Sequence, residues 1–163
     1  MPFTLTHGII SFFAIGMLTR DKRLWALAFV AGMLPDLDGI PILFDMVLYY
    51  AIHHELFHPP IYGILLGIIA AFALYRFFRM PKLPTFFAVA AGFILHPVFD
   101  IFFTNWGVKM LWPFSDEKHL FSYFIGYNWA LVLAIPLMVA APFAKEFAME
   151  KISKKGIAAK HTA

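Results

Sequence analysis

The chain has 163 residues, of which 61% are apolar, above the roughly 45–50% of soluble globular domains. It carries a formal net charge of +3 and has no cysteine, which excludes disulfides and any metal site built on thiolates. We therefore expect a membrane protein in which any metal is held by histidine and carboxylate side chains.

Five uncharged apolar segments divide the chain: residues 1–19, 24–35, 59–75, 83–99 and 119–144. They are rich in Leu, Ala, Ile and Phe and show no period-two alternation, which predicts helices and not strands. The last three approach or exceed the roughly 17 residues that cross a hydrocarbon core, whereas 24–35 is short. The sequence predicts an all-α, polytopic membrane bundle. Its first two segments are compatible with a short hairpin, and residues 39–52 with an interfacial helix.

Basic residues between the segments predict an orientation. Of the 13 Lys and Arg residues, 11 fall in alternate connections, and only Lys109 and Lys118 lie on the opposite side. The positive-inside rule then predicts an integral plasma (inner) membrane protein with a cytoplasmic C-terminus. We divide it into an embedded domain, 1–143, and a basic tail, 144–163. Anionic lipid headgroups explain the basic residues, so nucleic-acid binding is not expected.

Four polar motifs fall at the acidic, extracytoplasmic ends of the segments. They are His7, "PDLD" at 35–38, "HHELFH" at 53–58 and "HPVFD" at 96–100. An ionisable group at membrane depth costs several kcal/mol unless it is paired or bound, so such residues are functional candidates. Counting segments thus predicts a single polar site near the extracytoplasmic face.

Each motif also has a simpler explanation. His96 and Asp100 are four residues apart and share a helix face, which suits a common metal or a plain His–Asp hydrogen bond. Pro97 is expected to break or restart that helix. A turn after Pro35, with Asp38 as a helix cap, accounts for "PDLD". An interfacial loop accounts for the histidines at 53–58, but the coincidence of all four motifs favours metal binding.

Over about residues 1–143 the chain resembles the membrane-bound, YdjM-like family of metal-dependent hydrolases. The resemblance rests on "TH" at 6–7, on "PDLD" and "HHELFH", and above all on "HPVFDIFFTNWGVKMLWPFS" at 96–115. That block matches the family pattern through His96, Asp100, Thr104, Gly107 and the "WPF" of 112–114. More distantly, the motifs resemble the zinc-dependent phospholipase C and single-strand nuclease superfamily. The resemblance implies a helical, membrane-embedded metallohydrolase of phosphoesters.

The third motif departs from the family pattern of His, Arg, Gly, two residues, His and Ser. His54, Glu55 and Pro59 stand where the family has Arg, Gly and Ser. Alignment of the outer histidines places His53 and His58 in ligand positions. His54 then either meets a substrate anion when protonated or, like Glu55, adds a further ligand or orients His53 or His58. The implied metal ligands are His7, Asp36, His53, His58, His96 and Asp100.

This ligand set favours two divalent ions, with zinc first and manganese or iron as alternatives. Two ions bridged by Asp36 or Asp38 acidify a bound water and neutralise charge on a phosphoryl group. Asp38 or Glu55 is the candidate general base, with His54 as a further catalytic candidate. Membrane lipid and a phosphoester or lipid-like substrate are the expected partners. We predict a metal-dependent phosphoester hydrolase; a transporter and a structural metal site are the alternatives.

Overall fold

A computed structural model describes residues 4–122, 134, 137, 138 and 140–152 of the chain. Within these residues the only strand-like pairing is an isolated bridge between Val108 and His119. The all-α prediction is therefore confirmed. The helices are α1 Thr4–Leu18, α2 Lys22–Met33, a 3-10 helix Leu34–Leu43, α3 Met46–Ile52, α4 Pro60–Phe78 and α5 Lys82–Phe103, and residues 140–152 are also helical.

Three described helices are long and apolar enough to cross a membrane: Lys22–Leu43, Pro60–Phe78 and Lys82–Phe103. Thr4–Leu18 is a shorter apolar helix. The second segment is longer than predicted, because the chain continues from α2 straight into the 3-10 helix. Pro35 lies in the first turn of that helix, where a missing N–H breaks no hydrogen bond. The predicted fifth segment, 119–144, lies largely outside the described residues.

Close helix packing places the ends of α1, α2 and α5 together. α2 packs against both α1 and α5, and α4 packs against α5. At the α2–α5 crossing, a Cβ on Gly92 would lie 2.7 Å from the carbonyl oxygen of Ala28, so only glycine allows this approach. Ser11 of α1 donates to the carbonyl of Gly92 at 2.9 Å. The three helices are thereby joined around one crossing.

The helix α5 runs without a break through Pro97 to Phe103. The expectation that Pro97 breaks or restarts the helix is therefore wrong. Proline is tolerated within helices of membrane proteins, because neighbouring groups can satisfy the backbone that it leaves without a partner. Because α5 is unbroken, His96 and Asp100 lie one turn apart on one continuous helix.

The opposite end of the bundle carries the basic turns. Asp21 caps α2 by accepting the Arg23 N–H, and Trp25 donates its indole N–H to the carbonyl of Thr19. The ring of Phe143, in the helical residues 140–152, packs edge-on against Trp25 at 5.5 Å between centroids. These residues therefore belong to the basic end. The division of the chain at residue 143 stays a prediction.

Candidate metal centre

The four sequence motifs meet at one end of the helix bundle. α1 contributes its first turns, the 3-10 helix its aspartates, the α3–α4 loop its histidines and α5 its last two turns. They converge because α1, α2 and α5 pack side by side and the 3-10 helix continues α2. The buried ionisable residues of this cluster are His7, Asp38, His53, His54, His58, His96 and Asp100, with the partly buried Asp36 beside them.

His96 and His58 each direct one ring nitrogen to a fixed acceptor. His96 Nδ1 donates to the carbonyl of Gly32 at 2.7 Å, and His58 Nδ1 donates to Asp38 Oδ2 at 3.1 Å. A nitrogen that donates carries the proton, so the Nε2 of each neutral ring keeps its lone pair. Metal-binding histidines are characteristically oriented by such hydrogen bonds from the other ring nitrogen. Both rings are thus set up as Nε2 ligands.

The two free nitrogens face two carboxylates. His96 Nε2 lies 3.2 Å from Asp100 Oδ2 and 3.3 Å from Asp36 Oδ1. His58 Nε2 lies 3.5 Å and 3.8 Å from the same two oxygens. The other oxygen of Asp100, Oδ1, lies 3.4 Å from His7 Nε2. Asp36 and Asp100 therefore each face more than one imidazole.

Six buried atoms in this cluster have no hydrogen-bond partner, although charged groups approach them. They are His7 Nδ1, both ring nitrogens of His54, Nε2 of His58 and of His96, and Asp100 Oδ2. Leaving one buried polar atom unpaired costs about 1–3 kcal/mol, so such a concentration requires a partner. A divalent cation, which takes imidazole nitrogens and carboxylate oxygens as ligands, fits this donor set.

Three overlapping groups of side chains could hold a metal ion. They are His7, His96 and Asp100; Asp36, His58 and His96; and His54, His58 and Asp100. The donor atoms of each group lie within 4.8 Å of one another. Five of the six residues expected as ligands belong to these groups, and the exception is His53.

Asp38 and His53 lie behind the ligands and form a supporting layer. Asp38 accepts from His53 Nδ1 at 2.7 Å and from His58 Nδ1 at 3.1 Å, and the Phe57 N–H donates to it at 3.3 Å. The His53 ring also stacks on Tyr49 at 4.7 Å between centroids. With three donors on its oxygens, Asp38 holds the loop and orients His58. The bridging and general-base roles expected of Asp38 stay predictions.

His54 occupies the place in these groups that the alignment assigned to His53. Its φ of 66° lies in the left-handed region, which few residues other than glycine adopt. The rings of His53 and His54 are 89° apart, and His54 stacks on His58 at 4.0 Å. Burial, and next the nearby His58, lower the pKa of His54 to about 3. A neutral ring can bind a metal ion, whereas the expected alternative, contact with a substrate anion, needs a protonated ring.

Trp106 covers this side of the cluster. Its ring stacks on His54 at 5.3 Å and on Tyr50 at 5.8 Å between centroids. Thr104 fixes the start of its loop, because its hydroxyl donates to the carbonyl of Asp100 at 2.9 Å and accepts the Trp106 N–H at 3.0 Å. The Thr104 of the sequence motif therefore positions a covering loop next to a ligand. Trp106 lies outside the four polar motifs, and no sequence signal marks it for this role.

Glu55 faces the loop of residues 104–122 and lies outside the three groups. It pairs with Lys118, and its Oε2 lies 3.4 Å from Lys109 Nζ, which lies 3.1 Å from Asp116 Oδ1. Burial raises the pKa of Glu55, but the two lysines together lower it below the ordinary value. The ionised carboxylate therefore holds the loop 104–122 against the α3–α4 loop.

The comparisons with known proteins agree with this architecture. The model of the family described as YdjM inner membrane protein matches residues 1–160. The searches of curated proteins and of solved structures gave no significant match. The family match covers every element that contributes a side chain to the cluster. The chain therefore belongs to the YdjM inner membrane protein family.

Proposed function

We propose that this chain is a membrane-embedded, metal-dependent hydrolase of phosphoester bonds. The observation that carries the proposal is the convergence of unpaired buried nitrogen and oxygen atoms from four separate stretches of the chain. Burying so many imidazoles and carboxylates is unfavourable unless a cation binds them. Membership of an inner membrane protein family supports the membrane setting.

The three overlapping groups favour two ions. One imidazole nitrogen binds only one ion, so two groups that share a histidine nitrogen cannot both hold an ion. The group of His7 and His96 and the group of His54 and His58 have only Asp100 in common. Each histidine pair would hold one ion, and Asp100 would serve both, with Asp36 as a second such carboxylate because it faces both His96 and His58. Zinc is the favoured metal for histidine and carboxylate ligands.

Bound divalent ions supply an acidified water as the nucleophile and positive charge towards a phosphoryl group. The chain supplies orientation and access. Asp38 and the Gly32 carbonyl hold His58 and His96, and Trp106 shields His54 from solvent. The Asp36 side chain is 13% exposed, against 0–2% for the other five proposed ligands, so a substrate oxygen would enter on the side of Asp36.

Metal analysis and a hydrolysis assay on detergent-purified protein test the proposal. We expect about two ions per chain and chelator-sensitive hydrolysis of a phosphodiester such as bis(p-nitrophenyl) phosphate. Asp100→Asn should lose both ions and all turnover, because the lost carboxylate serves both. Glu117→Gln, an exposed carboxylate outside the cluster, is the control. Absence of metal after reconstitution, or unchanged hydrolysis in Asp100→Asn, would contradict the proposal.

A structural metal site is the second candidate, and the deep burial of the ligands favours it. Structural sites have closed coordination and hold helices together without turnover. In that case the parent protein binds metal, Asp100→Asn loses metal and thermal stability together, and no phosphoester is hydrolysed by either protein.

A further inference from the structure

An apolar groove is built from stretches of chain that also contribute to the metal centre. A cavity of about 360 Å³ lies between the 3-10 helix, the α3–α4 loop, α4 and α5, and its lining is almost wholly apolar. Its volume lies within the ~300–1,000 Å³ typical of ligand-binding pockets. Six of the residues that line it are Leu34, Leu37, Phe57, Leu65, Ile69 and Phe93.

Each wall of the groove carries a proposed metal ligand close by in sequence. Leu34 and Leu37 bracket Asp36, the ligand with the most exposed side chain. Phe57 directly precedes His58, and Phe93 lies one turn before His96 on α5. The groove and the centre are therefore built by the same three stretches of chain, and Asp36 lies in sequence between two residues of the groove wall.

The groove runs along α4, a helix that is long enough to span a membrane. Its α4 residues extend from Tyr62 to Ile69, two turns or about 10 Å along the helix axis. Leu65 is 48% exposed and Ile69 is 63% exposed, so the groove is open sideways along α4. In an inner membrane protein, the phase on that side is hydrocarbon.

We propose that the substrate of the centre is a membrane phospholipid, one acyl chain of which lies in this groove while its phosphoryl group lies at Asp36. This inference rests on the proposed function. A polar, water-soluble phosphoester makes no use of an apolar groove beside the centre, whereas a lipid phosphoester uses both the groove and the centre. The substrate then enters laterally from the bilayer.

Enlarging one groove residue tests the fit of the acyl chain. Ile69→Trp places a ring in the groove at an exposed position, far from the ligands, so metal content should not change. We expect kcat/KM on a long-chain phospholipid to fall about 10-fold. This is the lower end of the change in kcat/KM that one extra or missing methylene group causes in an apolar pocket. Hydrolysis of bis(p-nitrophenyl) phosphate should stay as in the parent. Val30→Trp is the matched control, because Val30 lines another apolar groove, between α1 and α2, and is 54% exposed.

A labelling experiment detects an acyl chain in the groove and does not depend on turnover. A phospholipid with a diazirine in its acyl chain is compared with a diacylglycerol that carries the same chain without the phosphate. We expect the phospholipid to label α4 several-fold more strongly, and this excess to disappear in Ile69→Trp and to persist in Val30→Trp. Equal labelling by the two lipids means that only bulk bilayer lipid contacts the groove, which overturns the inference.

The two experiments separate failure of the groove from failure of the enzyme. If the parent hydrolyses the soluble phosphodiester, and Ile69→Trp has the same kcat/KM on phospholipid as the parent, the groove proposal is wrong and the proposed function stands. If the parent hydrolyses neither substrate, the hydrolase proposal fails. The labelling of α4 by the phospholipid, compared with that by the diacylglycerol, then decides by itself whether the groove selects a phospholipid.

Discussion

Two buried aspartates in this cluster have different tasks. Asp100 faces His7, His58 and His96 and has one unpaired oxygen. Asp38 has its oxygens occupied by two ring N–H groups and one backbone N–H. A carboxylate that accepts hydrogen bonds on both oxygens orients the groups that donate to it. A carboxylate with an unpaired buried oxygen can bind a cation.

We expect Asp38→Asn to weaken metal binding about 10–100-fold, the usual effect of losing a group that orients a ligand. The amide cannot accept from His53 and His58 as a carboxylate does, but the ligands themselves remain. Asp100→Asn should lose metal altogether. Titration with a competing chelator measures both. Equal losses in the two variants would show that Asp38 is itself a ligand.

The two adjacent histidines give a second prediction. His54→Ala should remove about one of the two ions, because His54 is one of the ligands assigned to that ion. His53→Ala should keep both ions with weaker binding, since His53 reaches Asp38 and lies outside the three groups. Elemental analysis of the purified variants measures the stoichiometry. The opposite pattern would restore the ligand assignment made from the sequence alignment.

At the scale of the elements, a helix crossing positions the ligands. The carbonyl of Gly32 on α2 orients His96 on α5, and Gly92 allows these helices to approach. A Cβ at Gly92 would meet the backbone of Ala28, which cannot rotate away. The distance between α2 and α5 therefore couples directly to the orientation of a ligand.

Gly92→Ala should destabilise the protein by about 1–3 kcal/mol, the usual cost of overpacking, and weaken metal binding as well. The measurement is the Tm in detergent with and without added metal. Phe87→Ala on the same helix is the control, because Phe87 is 57% exposed and should be tolerated. A Gly92→Ala variant with normal Tm and normal metal affinity would contradict the role of the crossing.

The loop 104–122 is held over the site by charge. Glu55→Gln should weaken its pairs with Lys109 and Lys118, so the amides of this loop should exchange hydrogen faster while metal content stays unchanged. Asp116→Asn should have a smaller effect, because its side chain is 82% exposed and, within the described residues, pairs with Lys109 alone. Loss of hydrolysis in Glu55→Gln without faster exchange would instead identify Glu55 as the general base predicted from the sequence.

At the scale of the whole molecule, the metal centre and the basic turns lie at opposite ends of the helices. On α5, Lys82 begins the helix and His96 lies about 21 Å further along its axis. The basic residues at 20–23 and 76–82 share the first end. Among the described residues, the lysines near the centre are Lys109 and Lys118, and both are paired with Glu55. The positive-inside rule then predicts an extracytoplasmic centre.

Labelling of single cysteines tests this orientation, and the native chain contains no cysteine to interfere. We expect Asp116→Cys to react with a membrane-impermeant reagent in intact cells and Lys82→Cys to react only after the cells are opened. The two positions lie on either side of α5, which is long enough to span the membrane. Reaction of both in intact cells would exclude the predicted topology.

Much of the architecture follows from the sequence alone. Long apolar runs determine helices in a membrane, because the backbone must satisfy its hydrogen bonds internally. Alternation of basic and acidic connections places His7, "PDLD", "HHELFH" and "HPVFD" at one end, and the structure brings them together there. The sequence could not show that the chain continues past Pro35 as a 3-10 helix, because local signals favour a turn there.

The tertiary structure decides which residues of the cluster face the centre and which orient their neighbours. Residue types and spacing are the same whether His53 or His54 faces the centre; a backbone φ of 66° at His54 makes the difference. The roles of Asp36, Asp38 and Asp100 depend on which donors reach each carboxylate across helices that are distant in sequence. The sequence therefore determines which groups must share a buried polar site, and only the packing of α1, α2 and α5 determines which of them retain free lone pairs for a metal ion.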